Sequence, residues 1–121
     1  MYGLSVRWSL AEASGVTGAA DVAKELREYV VGTSLARFTQ LDGLRFKTWR
    51  MREGEWFEGT YVFGTADARD AFLASFRETA AESPGSRIIG SAPVSMEPFE
   101  VVAVAEGPAG FAAGGGPGAA P

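Results

Sequence analysis

Polar and apolar residues alternate over the first ten positions of the chain. Five apolar side chains share one side of an extended backbone there: Tyr2, Leu4, Val6, Trp8 and Leu10. A period of two predicts a β-strand with one buried face. Beyond a loop, apolar residues recur at helical spacing. We expect a helix that is N-capped by Asp21, kinks near Gly32 and ends near Gln40.

Two more strands are predicted in a hairpin that contains the aromatic stretch KTWRMREGEWFEGTYVF. They run over Leu44–Glu53 and Trp56–Phe63, on either side of a turn at Gly54. The length of the turn decides which side chains share a face, because a slip of one residue moves every side chain to the other face. We favour a two-residue turn, which puts Lys47 and Tyr61 on opposite faces. A three-residue turn would bring them to the same face.

The last third of the chain predicts a second helix and a fourth strand. Thr65 or Asp67 caps the helix, which ends at Ser83-Pro84-Gly85. The residues that follow are irregular apart from a short edge strand at Arg87–Ile89. The apolar run FEVVAVA, Phe99–Ala105, then predicts a final strand in a central position of the sheet.

The predicted order is strand, helix, strand, strand, helix, strand. This order is typical of an α+β ferredoxin-like sandwich, in which two helices cover one face of a four-stranded antiparallel sheet. Apolar residues of the hairpin are expected on the uncovered face, together with valines of the last strand: Trp49, Met51, Trp56 and Val62. A monomer would expose them, so we expect two copies to pair their sheets as a dimeric α/β barrel. Residues 1–106 form this domain, and the Gly/Ala/Pro-rich residues 107–121 form a flexible tail.

Composition excludes several kinds of site. The 121 residues include no cysteine and no histidine, which removes disulfides, thiolate metal sites, the Ser-His-Asp triad and the usual haem ligand. A net charge of −4 argues against nucleic acid, since phosphate contacts need clustered Lys and Arg. No phosphate-binding glycine motif and no run of about 18 apolar residues is present. We expect a cytoplasmic protein without a membrane span, a metal or a bound cofactor.

The hairpin and its neighbours resemble a known family. The segments GLRFKTW (residues 43–49), GTYVF (59–63) and AFL (71–73) are similar to the pattern Gly-Leu/Phe-x-x-Lys-x-Trp, Gly-x-Tyr-x-Phe and following helix of the YdhR-like mono-oxygenases. That family belongs to the dimeric α/β-barrel superfamily, which also holds cofactor-free mono-oxygenases of aromatic polyketide pathways, cyclases and isomerases. The resemblance implies a homodimer that acts on a small aromatic or polyketide-like molecule.

Two residues of the hairpin are candidates for catalysis. Lys47 lies in the middle of a strand, where it faces either solvent or a cavity in which its ammonium would stabilise a phenolate or enolate. The hydroxyl of Tyr61 is a candidate proton donor, or it bonds to a backbone carbonyl. Trp49 belongs to the core, to an interface or to a ligand-stacking surface. The residues expected to bind substrate are Trp8, Leu26, Val30, Trp49, Arg50, Phe63, Phe72 and Phe76.

Three functions remain open from these residues. The first is a cofactor-independent mono-oxygenase, in which a substrate carbanion or phenolate itself reduces oxygen within an apolar, water-excluding pocket. The second is a non-oxidative cyclase, isomerase or decarboxylase that uses the same pocket. The third is a non-catalytic dimeric protein that binds small molecules.

Overall fold

The computed structural model describes residues 1–11 and 18–111. Its helices and strands are β1 (Tyr2–Ser9), α1 (Ala19–Tyr29), α2 (Leu35–Phe38), β2 (Leu44–Arg52), β3 (Trp56–Phe63), α3 (Ala66–Thr79), α4 (Pro84–Ile89) and β4 (Ser95–Glu100). A π-helical turn, Val30–Ser34, joins α1 to α2, and a 3-10 turn, Ala80–Glu82, joins α3 to α4. The predicted loop, residues 13–18, lies outside the described residues apart from Gly18, as does the tail beyond residue 111.

The four strands form one antiparallel sheet in the order β2-β3-β1-β4. Helix α3 packs on β1 and β3, and α1 packs on α4. The helices cover one face of the sheet, as the ferredoxin-like α+β prediction requires, and that prediction is confirmed. None of the helices in the described part of the chain has the length and apolar run needed to span a bilayer.

The core lies between the sheet and the helices. It is built from alternate residues of β1 and β3 and from the inward stripes of the helices, and its most buried members are Leu4, Val6, Leu10, Leu26 and Phe63. Because strand side chains alternate in direction, each strand gives every second residue to this layer.

Both long helices are positioned by local signals. Thr65 caps α3, because its hydroxyl oxygen accepts a hydrogen bond from the Ala68 N–H at 3.1 Å. Helix α1 begins at Ala19 after Gly18, so the predicted N-cap at Asp21 is wrong. The Asp21 carboxylate lies in the first turn, where it favours the positive end of the helix dipole. The predicted kink at Gly32 falls inside the π-helical turn.

Two predictions for the end of the chain are wrong. Arg87–Ile89 belongs to helix α4 and not to an edge strand, because Ser83 caps that helix and Pro84 occupies its first position. The final strand is β4, and it lies at the sheet edge beside β1 instead of centrally over Phe99–Ala105. The Val101 N–H bonds to the Met1 carbonyl, and β4 ends one residue earlier at Glu100, which pairs with Tyr2.

The hairpin has the three-residue turn, and the favoured two-residue turn is wrong. Arg52 pairs with Trp56, and Lys47 pairs with Tyr61. The Glu55 N–H bonds to the Arg52 carbonyl at 2.9 Å, and Gly54 has a φ of 75°, a left-handed conformation that suits glycine.

This register divides the hairpin side chains differently from the expectation. Trp49 and Met51 face the helices, whereas Trp56 and Val62 lie on the open face of the sheet. The four residues therefore do not share one apolar face, and that prediction is wrong.

The open face carries a charged network at its centre. The buried Glu58 carboxylate accepts hydrogen bonds from Arg7 (Nε at 2.9 Å), from Arg50 and from the Thr60 hydroxyl at 3.1 Å. Burial favours the neutral acid, but these hydrogen bonds outweigh it and lower the pKa of Glu58 to about 2. Both guanidinium groups also lie over the Trp56 ring, at 4.2 and 5.5 Å. The network holds β1, β2 and β3 together on the face that no helix covers.

Candidate functional site

Lys47 and Tyr61 form the polar pair at the centre of the helix-covered face. They lie opposite each other on β2 and β3, and Lys47 Nζ donates a hydrogen bond to Tyr61 Oη at 3.0 Å. The three-residue turn makes this contact possible, because it puts both side chains on the same face. The lysine therefore faces the interior, which was one of the two interpretations left open by the sequence.

Three aromatic rings surround the Lys47 amine. Nζ lies 3.5 Å from the ring centre of Phe38, 4.2 Å from that of Tyr61 and 4.5 Å from that of Trp49. The lysine chain crosses the strand over Gly59, where an added Cβ would come within 3.1 Å of Lys47 Cε. A side chain at position 59 would therefore displace the amine, so glycine has a packing role here.

The environment of Lys47 favours the neutral amine. Burial removes water from the ammonium and, together with the nearby positive charge of Arg37, lowers the pKa of Lys47 to about 6. The electron-rich faces of the rings work in the opposite direction, because they attract a cation. At pH 7 the neutral amine therefore predominates, and a positive charge forms there only when Lys47 takes up a proton.

Tyr61 supplies a hydroxyl that stays protonated. Burial raises the pKa of Tyr61 above its usual range, although the positive charge of Arg37 works against this rise. Its ring is fixed by Phe72 and Phe38, whose ring centres lie 4.7 and 5.6 Å away. The hydroxyl is therefore a positioned hydrogen-bond donor next to a basic nitrogen.

A cavity of about 60 Å³ lies between this pair and the helices. Aromatic side chains from the sheet and from the helices line it, among them Trp8 on β1, Phe38 on α2, and Phe72 and Phe76 on α3. The Trp8 indole is fixed by its N–H, which donates to Ser86 Oγ at 2.9 Å. The π-helical turn contributes Ser34, which is buried against the cavity. Turns of this kind often occur at functional sites.

A second, wider groove of about 460 Å³ runs along the edge of the sheet beside the cavity. Its floor and walls are apolar apart from two guanidinium groups, and its lining consists of Leu26, Arg27, Val30, Val31, Trp49, Arg50, Met51 and Phe57. Trp49 and Phe57 also line the cavity. The Trp49 side chain therefore borders both the groove and the cavity that holds the Lys47 amine.

The structure divides the predicted site residues among three places. Lys47 and Tyr61 line the inner cavity together with Trp8, Trp49, Phe72 and Phe76. Leu26, Val30 and Arg50 line the groove instead, again with Trp49. Phe63 lies in the core behind the cavity, where its ring stacks on Tyr61 at 6.2 Å. The described residues contain no group of three or more acidic side chains arranged to hold a metal ion.

Sequence reasoning missed several residues that line the cavity, chiefly Phe38, Arg37, Phe57 and Gly59. Phe38 belongs to the apolar stripe of the first helix, so its burial was predictable but its contact with Lys47 was not. Arg37 has no sequence pattern that indicates a role. Gly59 could have been found from the register, because it lies diagonally across from Lys47 on the same face.

Comparison with solved structures finds the same fold at low sequence identity. A protein of unknown function from Nitrosomonas europaea superposes with a TM-score of 0.53 and 20% identity, over 86% of this chain and 91% of that chain. A monooxygenase from Streptomyces coelicolor, determined in complex with nanaomycin D, superposes with a TM-score of 0.52 and 16% identity, over 86% of this chain and 89% of that chain. No protein-family model and no curated protein matches the sequence. The chain therefore has a ferredoxin-like fold that a monooxygenase also adopts.

Proposed function

We propose that this protein is a cofactor-independent mono-oxygenase for a small electron-rich aromatic or enolisable substrate. The observation that carries the proposal is the Lys47–Tyr61 pair, in which a basic amine and a protonated hydroxyl lie 3.0 Å apart against an aromatic-lined cavity. The amine can remove a proton from an activated C–H group or from a phenol, and the hydroxyl can stabilise the resulting anion by a hydrogen bond. The YdhR-like sequence pattern and the shared fold of the Streptomyces monooxygenase support the same reaction class.

In the proposed reaction, O₂ is the only oxidant and the substrate itself supplies the electrons. The Lys47 amine takes a proton from an activated CH₂ group, and the ammonium formed stays beside the substrate carbanion. The carbanion gives its electrons to O₂ and forms a carbon–oxygen bond, and the peroxide takes back a proton. Loss of water from this hydroperoxide leaves a carbonyl group, so CH₂ and O₂ become C=O and H₂O. Tyr61 donates a hydrogen bond to the developing oxyanion.

The wider groove offers room for the rest of such a substrate. Its volume lies in the range of small-molecule sites, which are mostly apolar with a few polar groups. The inner cavity is too small for fused rings. Trp49 lines both the groove and the inner cavity, so we expect it to determine which polycyclic substrates in the groove can reach Lys47.

Oxygen uptake with anthrone tests this function. We expect the wild-type protein to consume oxygen and to form anthraquinone, with a rate that falls by about 10²- to 10⁴-fold in Lys47→Met, because the general base is lost. Lys24→Met removes an exposed lysine and is the matched control, with an unchanged rate. Equal product formation under nitrogen would instead indicate the non-oxidative cyclase, isomerase or decarboxylase. An absence of turnover with every phenol and anthrone tried would favour a non-catalytic binding protein.

We also propose that the protein is a homodimer. The open face of the sheet has no helix over it, and the chain beside it exposes apolar side chains that include Phe99 and Phe111. Pairing two such faces would bury them. Sedimentation velocity at micromolar concentration tests this, and a species with the mass of a single chain would contradict it.

A further inference from the structure

The inner cavity has room for a small molecule even while Trp49 remains in place. A bound water needs roughly 10–15 Å³ of such space, so a cavity of about 60 Å³ holds about four waters or a ligand of similar size. The ligand would touch the Lys47 amine directly. This space adjoins the groove that would hold the rest of the proposed mono-oxygenase substrate, and Trp49 and Phe57 line both.

The charges around the cavity are all positive or neutral. Among the described residues that line it, none is a carboxylate, and Arg37 is the second cationic side chain beside Lys47. The other ionisable groups are two tyrosines, Tyr61 on β3 and Tyr29 at the end of α1, while α3 contributes only phenylalanines. An ammonium at Lys47 has no counter-ion here, whereas a ligand carboxylate would find the Arg37 guanidinium.

We propose that Lys47 also forms an imine with small oxo acids, whose carboxylate Arg37 binds. The amine nitrogen adds to the ligand carbonyl and forms a C–N bond, and the carbonyl oxygen leaves as water after taking two protons. Tyr61, whose hydroxyl lies 3.0 Å from the nitrogen, is placed to donate to that oxygen. Buried lysines beside a second cation are known to act as amine nucleophiles in this way.

The properties of the amine support this chemistry. Burial and Arg37 lower the pKa of Lys47 to about 6, so at pH 7 it is roughly nine-tenths neutral, whereas a lysine of pKa near 10.4 is neutral in about one molecule in 2,500. With a β-oxo acid, the protonated imine can accept the electron pair of the bond to the carboxylate, which leaves as CO₂. The resulting enamine takes a proton and is hydrolysed by water to the ketone and the free amine.

The chain offers an internal control, because it contains only two lysines, Lys24 and Lys47. Lys24 is exposed and lies 4.0 Å from Glu28. The experiment incubates the wild type, Lys24→Arg and Lys47→Met with acetoacetate at pH 7 under nitrogen and reduces any imine with sodium borohydride. Peptide mapping by mass spectrometry then gives the rate of labelling at each lysine and at the amino terminus.

We expect Lys47 to be labelled at least about tenfold faster than Lys24, because the Lys47 amine is largely neutral at pH 7, and to carry the acetone-derived adduct. Lys24→Arg should keep this labelling and Lys47→Met should lose it. Arg37→Met should slow labelling by acetoacetate but not by acetone, which has no carboxylate. This pair of probes separates binding of the acid from the reactivity of the amine.

Labelling of Lys24 or the amino terminus as fast as Lys47 would overturn the proposal, as would the absence of an adduct on Lys47. The outcome is independent of oxygen chemistry, since the reaction runs under nitrogen. A protein that oxidises anthrone but forms no imine would refute only this inference, and one that forms the imine but consumes no oxygen would refute only the mono-oxygenase.

Discussion

Replacement of Lys47 by methionine should make the protein more stable at neutral pH, although the residue belongs to the candidate site. Methionine fills a similar apolar space between the rings and does not require desolvation of a charge. The pKa of Lys47 is about 6 in the folded protein and about 10.4 in the unfolded chain. The folded protein therefore holds this proton only below about pH 6, whereas the unfolded chain holds it up to about pH 10.4. Between these values the unfolded state holds one more proton, so the stability of the wild type rises with pH.

The expected size follows from this difference in proton binding. Each pH unit inside the window changes the free energy of unfolding by about 1.4 kcal/mol, which gives roughly 3 kcal/mol between pH 7 and pH 9. Lys47→Met has no such proton, and its advantage over the wild type should shrink by this amount.

Urea unfolding of both proteins at pH 7, 8 and 9 measures the difference directly. All other groups titrate in both proteins and cancel when the two free energies are subtracted. The control Lys24→Met removes an exposed lysine, and its difference from the wild type should not change with pH. A constant gap between wild type and Lys47→Met over the same range would refute the account of a desolvated amine.

Three further outcomes follow from individual contacts. Glu58 has a pKa of about 2 in the folded protein and about 4.3 in an unfolded chain, so its stabilising effect is complete above pH 5 and disappears towards pH 2. Glu58→Gln should therefore cost about 2 kcal/mol at pH 7 and much less at pH 2.5 in urea unfolding. Gly59→Ala places a Cβ 3.1 Å from Lys47 Cε and should lower the oxygen-uptake rate with anthrone by about tenfold or more, because the amine is displaced; an unchanged rate would contradict this. Gly3→Ala meets the Phe99 ring, which packs on the glycine, and should lower the free energy of unfolding by about 1 kcal/mol, whereas equal stability would show that the ring moves freely.

Helices and strands with a strong local sequence pattern were predictable. The bounds of strands that depend on pairing with another strand were not. Strand β1 follows from strict alternation, and α3 follows from the cap at Thr65. The end of β4 depends on β1, because Glu100, its last residue, pairs with Tyr2, the first residue of β1, and the described residues of the apolar run that follow are not in the sheet. Val102 is accordingly 88% exposed. Apolar content alone could not reveal where the pairing stops.

The candidate site was predictable as a list of residues but not as an arrangement. Whether Lys47 meets Tyr61 depends on one residue in the turn, and the sequence Glu-Gly-Glu fits both turn lengths. The conformation of Gly54 decides between them, with a φ of 75°. Phe38, which contacts the amine, lies on a helix that follows a π-helical turn, and that turn has no clear sequence pattern. The register of the hairpin therefore decides whether polar side chains on neighbouring strands meet, and the hydrophobic pattern alone does not determine that register.

Lys47 is a neutral amine at pH 7, held against Tyr61 inside an aromatic cavity. The decisive measurement is titration of this amine by heteronuclear NMR in the variant Lys24→Arg, where Lys47 is the only lysine. We expect its Nζ and Cε resonances to titrate with a midpoint near pH 6 and to shift in the variant that also carries Tyr61→Phe. A midpoint near pH 10, as for an exposed lysine, would contradict the account.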